Sequence, residues 1–131
     1  MKKIITSAAL VLLVGFYLPA CKKSDKKQTT LDKIQGVWQL ETYTYNEHLS
    51  GQDNITTITG GLGDFFDFRT NGILIEGIAD TTIYRLSGDT KIVINLSTYD
   101  ITTLTSNSFI LHIKDDLGGT DFDEGTISLK K

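Results

Sequence analysis

One cysteine, Cys21, is all this chain has, so no internal disulfide can staple it and its stability must come from a core. Histidine is almost as scarce. His48 and His112 have no cysteine partner and no ligand-like spacing, and His112 falls on the outward parity of an alternating run, so no metal centre is expected. Basic residues are few where a nucleic acid would need them. From Ile34 to Lys131 there are six Lys and Arg against fourteen Asp and Glu, a net of −8 hidden inside a whole-chain value of −3. Phosphate binding requires a basic face, so nucleic acid is excluded as a partner, and the acidic surface serves solubility. The signatures of catalysis are missing too. There is no Gly-x-Ser-x-Gly elbow, and Ser, His and Asp occur in no nucleophile context, so the chain reads as a non-enzyme without a cofactor. Gly60-Gly61-Leu62-Gly63 lacks the helix and the Lys-Ser/Thr pair of a phosphate loop and reads as a hinge. Asp115 to Glu124 gathers five carboxylates around two glycines without EF-hand spacing, and the sequence leaves calcium there open.

What is present begins at the N-terminus. Met1-Lys2-Lys3 is a short positive region, Ala8 to Phe16 a compact apolar one, and Leu18-Pro19-Ala20 ends on a small residue before Cys21. This is the layout of a cleaved secretory signal over residues 1–20. The run from Ile4 to Ala20 is 17 residues and includes Thr6, Ser7, Gly15 and Pro19, which is short of the roughly 20 apolar residues of a spanning helix. Leu18-Pro19-Ala20-Cys21 resembles a bacterial lipobox, which implies that Cys21 carries a diacylglycerol group and becomes the acylated mature terminus. Buried acyl chains contribute roughly 0.8 kcal/mol per CH₂, so such a terminus is held on a membrane. From Lys22 to Lys33 there are five Lys against two Asp. Residues 21–33 therefore read as a lipidated, basic, flexible tether that favours anionic headgroups. Basic residues after Cys21 differ from the acidic stretch that resembles a surface-export signal, so the expected place is the bacterial envelope, at the outer membrane and facing the periplasm.

The remaining 98 residues, 34–131, are enough for one small domain with its own core. Its dominant pattern is alternation. Phe66 and Phe68 share a face, Asn71-Gly72 is a hairpin turn signal, and Ile73-Leu74-Ile75 starts the return. A two-residue loop there pairs Thr70 with Ile73 and Phe68 with Ile75. In the next hairpin a three-residue loop, Gly88 to Thr90, sets Leu86 against Ile92 and Tyr84 against Ile94, giving one apolar face. Strands over Thr98–Thr105, Ser108–Lys114 and Thr126–Leu129 follow. Turn signals recur every 8 to 12 residues with no helical stripe between them, which predicts an all-β, antiparallel up-and-down barrel of about eight strands. The segment from Glu47 to Gly63 is expected to be a long loop carrying exposed Leu49, Ile55, Ile58 and Leu62.

Gly36-Val37-Trp38 heads the first strand after a single helical turn capped by Thr30. With "FDFRTNG", "YRLSGDTKIVI" and "YDITTLTSNSFILHI" further on, it resembles the small bacterial lipocalin-like lipoproteins over most of Ile34 to Ile113. No Arg stands near the C-terminus to stack on the tryptophan as in larger lipocalins, only Lys130 and Lys131. The resemblance implies a lipocalin-like barrel with Gly36 and Trp38 at its closed base. It also implies non-catalytic binding of a small hydrophobic ligand at the other end. Inward parity then assigns Leu40, Phe66, Phe68, Tyr84, Leu86, Ile94 and Phe109 to the ligand walls, and apolar walls with one phenol suit a fatty or isoprenoid-like molecule better than a charged metabolite. A filled core, acting as a protein-interaction or envelope-structural module, is the alternative, and the oligomeric state is open.

Overall fold

The computed structural model describes residues 27–78 and 80–131. The expected signal peptide, Cys21 and the first part of the expected tether lie outside the described residues. A five-residue helix, α1 (Thr30–Ile34), leads into nine strands. These are β1 (Gly36–Leu49), β2 (Gln52–Thr59), β3 (Phe65–Phe68), β4 (Ile73–Glu76), β5 (Asp80–Leu86), β6 (Lys91–Ile94), β7 (Ser97–Leu104), β8 (Ser108–Gly118) and β9 (Asp121–Lys130). All pair antiparallel in one sheet, and β1 pairs with β9 to close it. The result is the expected barrel of eight strands, with β2 as an extra one.

The extra strand corrects one expectation. β2 and β3 lie along the same edge of β1, β3 against Gly36–Gln39 and β2 against Thr42–Leu49. They act as one long antiparallel partner broken at 60–64. The loop expected over 47–63 is therefore mostly strand, with a tight turn at Ser50–Gly51 and only 60–64 unpaired. Its Asn54-Ile55-Thr56-Thr57-Ile58-Thr59 run is rich in β-branched residues, which suit a pleated surface even when nothing buries them. Leu49, Ile55, Ile58 and Leu62 are exposed, as expected.

α1 is capped by Thr29, one residue before the expected Thr30. The Thr29 hydroxyl accepts from the Asp32 backbone N–H at 3.2 Å, and the Asp32 carboxylate accepts from the Thr29 N–H at 3.0 Å. This reciprocal box fixes the start of the helix at Thr29. The helix swings Ile34, fully buried, under the barrel, where its carbonyl accepts from Trp38 Nε1 at 2.7 Å. Trp38 packs on Phe109 and, through it, Phe68, with ring centroids 5.4 and 5.6 Å apart. Lys131 closes over the outer face of the tryptophan. Its Nζ lies 4.2 Å from the Trp38 ring centre and donates to the Gln35 carbonyl at 3.1 Å, so the last residue seals the base.

The two hairpins differ from each other in outcome. In β5–β6 Leu86 faces Ile92 and Tyr84 faces Ile94 across the three-residue loop, as expected. In β3–β4 the two-residue loop is corrected to three residues. Phe68 pairs with Leu74 and Phe66 with Glu76, while Gly72 at φ +77° donates to the Arg69 carbonyl. That is a type I turn closed by a left-handed residue, which glycine adopts without strain. A one-residue shift turns every side chain of the strand to the other face. Leu74 and Glu76 therefore point inward in place of Ile73 and Ile75.

Candidate ligand-binding site

The barrel interior is divided along its axis. The end near Trp38 is solid, with Phe68, Leu74, Tyr84, Ile92, Phe109, Leu111 and Leu129 packed around the tryptophan. Tyr84 meets Phe68 edge-on at 5.1 Å, and its hydroxyl donates to the Arg69 carbonyl at 2.7 Å. The other end holds a cavity of about 280 Å³ lined by Leu40, Tyr43, Ile58, Phe66, Glu76, Ile94, Tyr99 and Ile127.

The position of the cavity follows from how β1 is paired. At Leu40–Glu41 the strand passes from β3 to β2 on one edge and carries a bulge against β9 on the other. The Leu40 N–H donates to the Asp64 carbonyl at 2.8 Å, and the Gly60 N–H donates to the Glu41 carbonyl at 3.1 Å. A bulge bends and over-twists a strand, and here it moves the inward register from Leu40 to Tyr43. The walls part above this level. The turns at this end also present Leu62, Ile78 and Leu96, all nearly fully exposed.

Of the seven side chains assigned to the walls from sequence, the structure brings Leu40, Phe66 and Ile94 to the cavity. Phe68, Tyr84 and Phe109 lie below it in the packed floor, and Leu86 is half-buried against that floor at the far end. Gly36 and Trp38 stand at the base, beside α1 and Lys131. Sequence reasoning missed Tyr43, Ile58, Glu76, Tyr99 and Ile127. The alternation of Tyr99 with Ile101, and of Ile127 with Leu129, was available as a signal. The bulge hid Tyr43, the loop assignment hid Ile58, and the hairpin register hid Glu76.

The cavity is electrostatically one-sided. Burial, with Asp80 across the β4–β5 pair, holds the Glu76 carboxyl above its ordinary range. Burial also raises the Tyr99 phenol. Among the described residues no three His, Cys, Asp or Glu side chains come together as a metal site. The carboxylates of 115–124 are spread along the β8–β9 hairpin, with Asp115 opposite Asp123 and Lys114 opposite Glu124. His48 and His112 pair with Asp53 at 2.7 Å and Glu124 at 2.6 Å.

No family model matches the chain, and neither the curated proteins nor the solved structures yield a match. The barrel is compatible with a lipocalin-like fold, and its geometry alone bears on what it does.

Proposed function

We propose that this chain is a lipocalin-like envelope lipoprotein that binds a compact apolar molecule without catalysis or cofactor. It is held to the bacterial outer membrane through lipid on Cys21 and faces the periplasm. The observation that carries the ligand reading is the half-filled barrel. A solid aromatic floor fixes the shape, and an apolar chamber is left above it. At about 280 Å³ the chamber lies just below the roughly 300–1,000 Å³ of drug-sized sites, so one ring or a short chain fits and a long acyl chain does not fit whole. The exposed Leu62, Ile78 and Leu96 at the same end offer an apolar approach.

Filling the chamber tests this reading. Leu40→Trp is expected to remove an apolar adduct that native mass spectrometry finds on the wild-type protein while the fold stays intact, whereas in a filled barrel the same change overpacks the core at about 1–3 kcal/mol. A wild type without any adduct, or an adduct that survives in the variant, would count against ligand binding. The anchor has its own test. Cys21→Ser leaves nothing to accept the diacylglycerol, so the expected product is unprocessed precursor. A mature variant still on membranes after carbonate washing would sink the lipobox reading.

A second reading rests on β2. Every residue of that strand is exposed, and among the described residues it pairs on one side only, with β1. An unpaired edge without Lys or Pro is a template for strand addition by a protein partner. Loss of binding to a partner on Ile55→Lys, with Leu40→Trp silent, would favour that role over the ligand.

A further inference from the structure

The polar part of the cavity lining consists of Tyr43 from β1, Glu76 from β4 and Tyr99 from β7, and among the described residues no Lys, Arg or His lines it. The Glu76 carboxylate makes no side-chain hydrogen bond or ion pair among the described residues. Its cross-strand neighbours give no relief. Phe66 lies opposite on β3, and Asp80, opposite on β5, adds a second negative charge. A carboxylate half withdrawn from water and left without a cation is costly. A wall made only for packing would carry Leu or Ile at this inward position, as the same strand does at Leu74.

We propose that Glu76 is the specificity-determining anchor of the chamber and that its ligand is a compact apolar amine. The ammonium sits on Glu76, and the hydrocarbon packs on Leu40, Phe66 and Ile94. This rests on the ligand-binding reading above and names the ligand's class. The phenol oxygens of Tyr43 and Tyr99 offer further acceptors to an ammonium, which has three donors. A fatty acid is disfavoured, because its head group at Glu76 would place two carboxylates together with no counter-ion. An apolar alcohol gains one hydrogen bond but no charge pairing.

The pH dependence has a definite sign. The titratable groups facing Glu76 are Tyr43, Tyr99 and Asp80, and burial pushes the Tyr99 phenol up, further from the carboxylate range. Amine binding therefore strengthens as pH rises through the elevated range in which Glu76 ionises. In the empty barrel the same shift acts against the fold. A carboxyl raised in the folded state contributes stability below its unfolded value and loses it as pH rises. Glu76→Gln should therefore melt no lower than wild type at neutral pH, which separates loss of the anchor from loss of the fold.

The test is calorimetric titration of the full chain in lipid nanodiscs with cyclohexylamine, cyclohexanol and cyclohexanecarboxylate, three probes on one ring. At about pH 8 the amine is expected to bind roughly tenfold more tightly than the alcohol, with the carboxylate weakest. Glu76→Gln should bring the amine down to the alcohol's affinity and leave the alcohol unchanged, and the amine's advantage should vanish near pH 4. Equal amine affinity in Glu76→Gln and wild type, or an alcohol that matches the amine, overturns the amine assignment and leaves chamber binding standing. No binding by any of the three overturns the ligand reading itself, and the amine with it.

Discussion

Gly60→Ala unfolds or severely weakens the barrel, whereas Gly63→Ala, three residues away, does not. A methyl group on Gly60 would overlap the Leu40 carbonyl oxygen, stand 2.6 Å from its carbon and lie 2.9 Å from Leu40 Cβ. Those are mostly backbone atoms of the strand that carries the barrel's closure, so no side chain can swing aside to make room. The same glycine donates to the Glu41 carbonyl at 3.1 Å, and moving away would break the hand-off of β1 from β3 to β2. Overpacking against immovable backbone is expected to cost roughly 3 kcal/mol or more. At Gly63 nothing lies within 4 Å of an added methyl, so the change should stay within about 0.5 kcal/mol. Urea unfolding of both variants is the measurement. Equal, small losses would mean that β1 and the 60–64 segment do not approach as described.

That pair of glycines also shows where the sequence could be read and where it could not. The Gly-Gly-Leu-Gly stretch is legible as a hinge because glycine punctuates. Which of the glycines is sterically required depends on a strand twenty residues away. The closed, antiparallel architecture was legible because apolar and polar residues alternate through most of the strands between Phe65 and Leu129 and the turns carry their own signals. The β5–β6 register was legible for the same reason, since only one loop length puts Leu86 and Tyr84 on the face of Ile92 and Ile94. The β3–β4 register was not. Ile73, Leu74 and Ile75 are apolar on both parities, so hydrophobicity does not choose between two- and three-residue loops. The choice between those loops decided whether a carboxylate entered the cavity. Tyr43 was lost to a bulge that no local pattern announces.

Trp38→Ala is the second large effect, and it tests the closed end of the barrel. The indole is fully buried, meets Phe109 of the floor at a tilt of 57°, and donates its N–H to the Ile34 carbonyl, while Lys131 caps its outer face. Removing it leaves a cavity beneath an otherwise rigid floor, strands a carbonyl of α1 and frees the C-terminal lysine. The expected loss is about 3–5 kcal/mol, a large share of the 5–15 kcal/mol that holds a typical domain. Trp38→Phe separates the contributions. It keeps most of the buried area but abandons the hydrogen bond to Ile34, which costs about 1–3 kcal/mol through the unsatisfied carbonyl. The expected order of stability is therefore wild type, then Phe, then Ala. Because Trp38 is the sole tryptophan, its emission reports this site alone and should be blue-shifted in the native protein and red-shifted on unfolding. Native emission already at the solvent-exposed wavelength, or a Trp38→Ala loss under about 0.5 kcal/mol, would remove the tryptophan from the base of the barrel. The solid floor on which the chamber above depends would go with it.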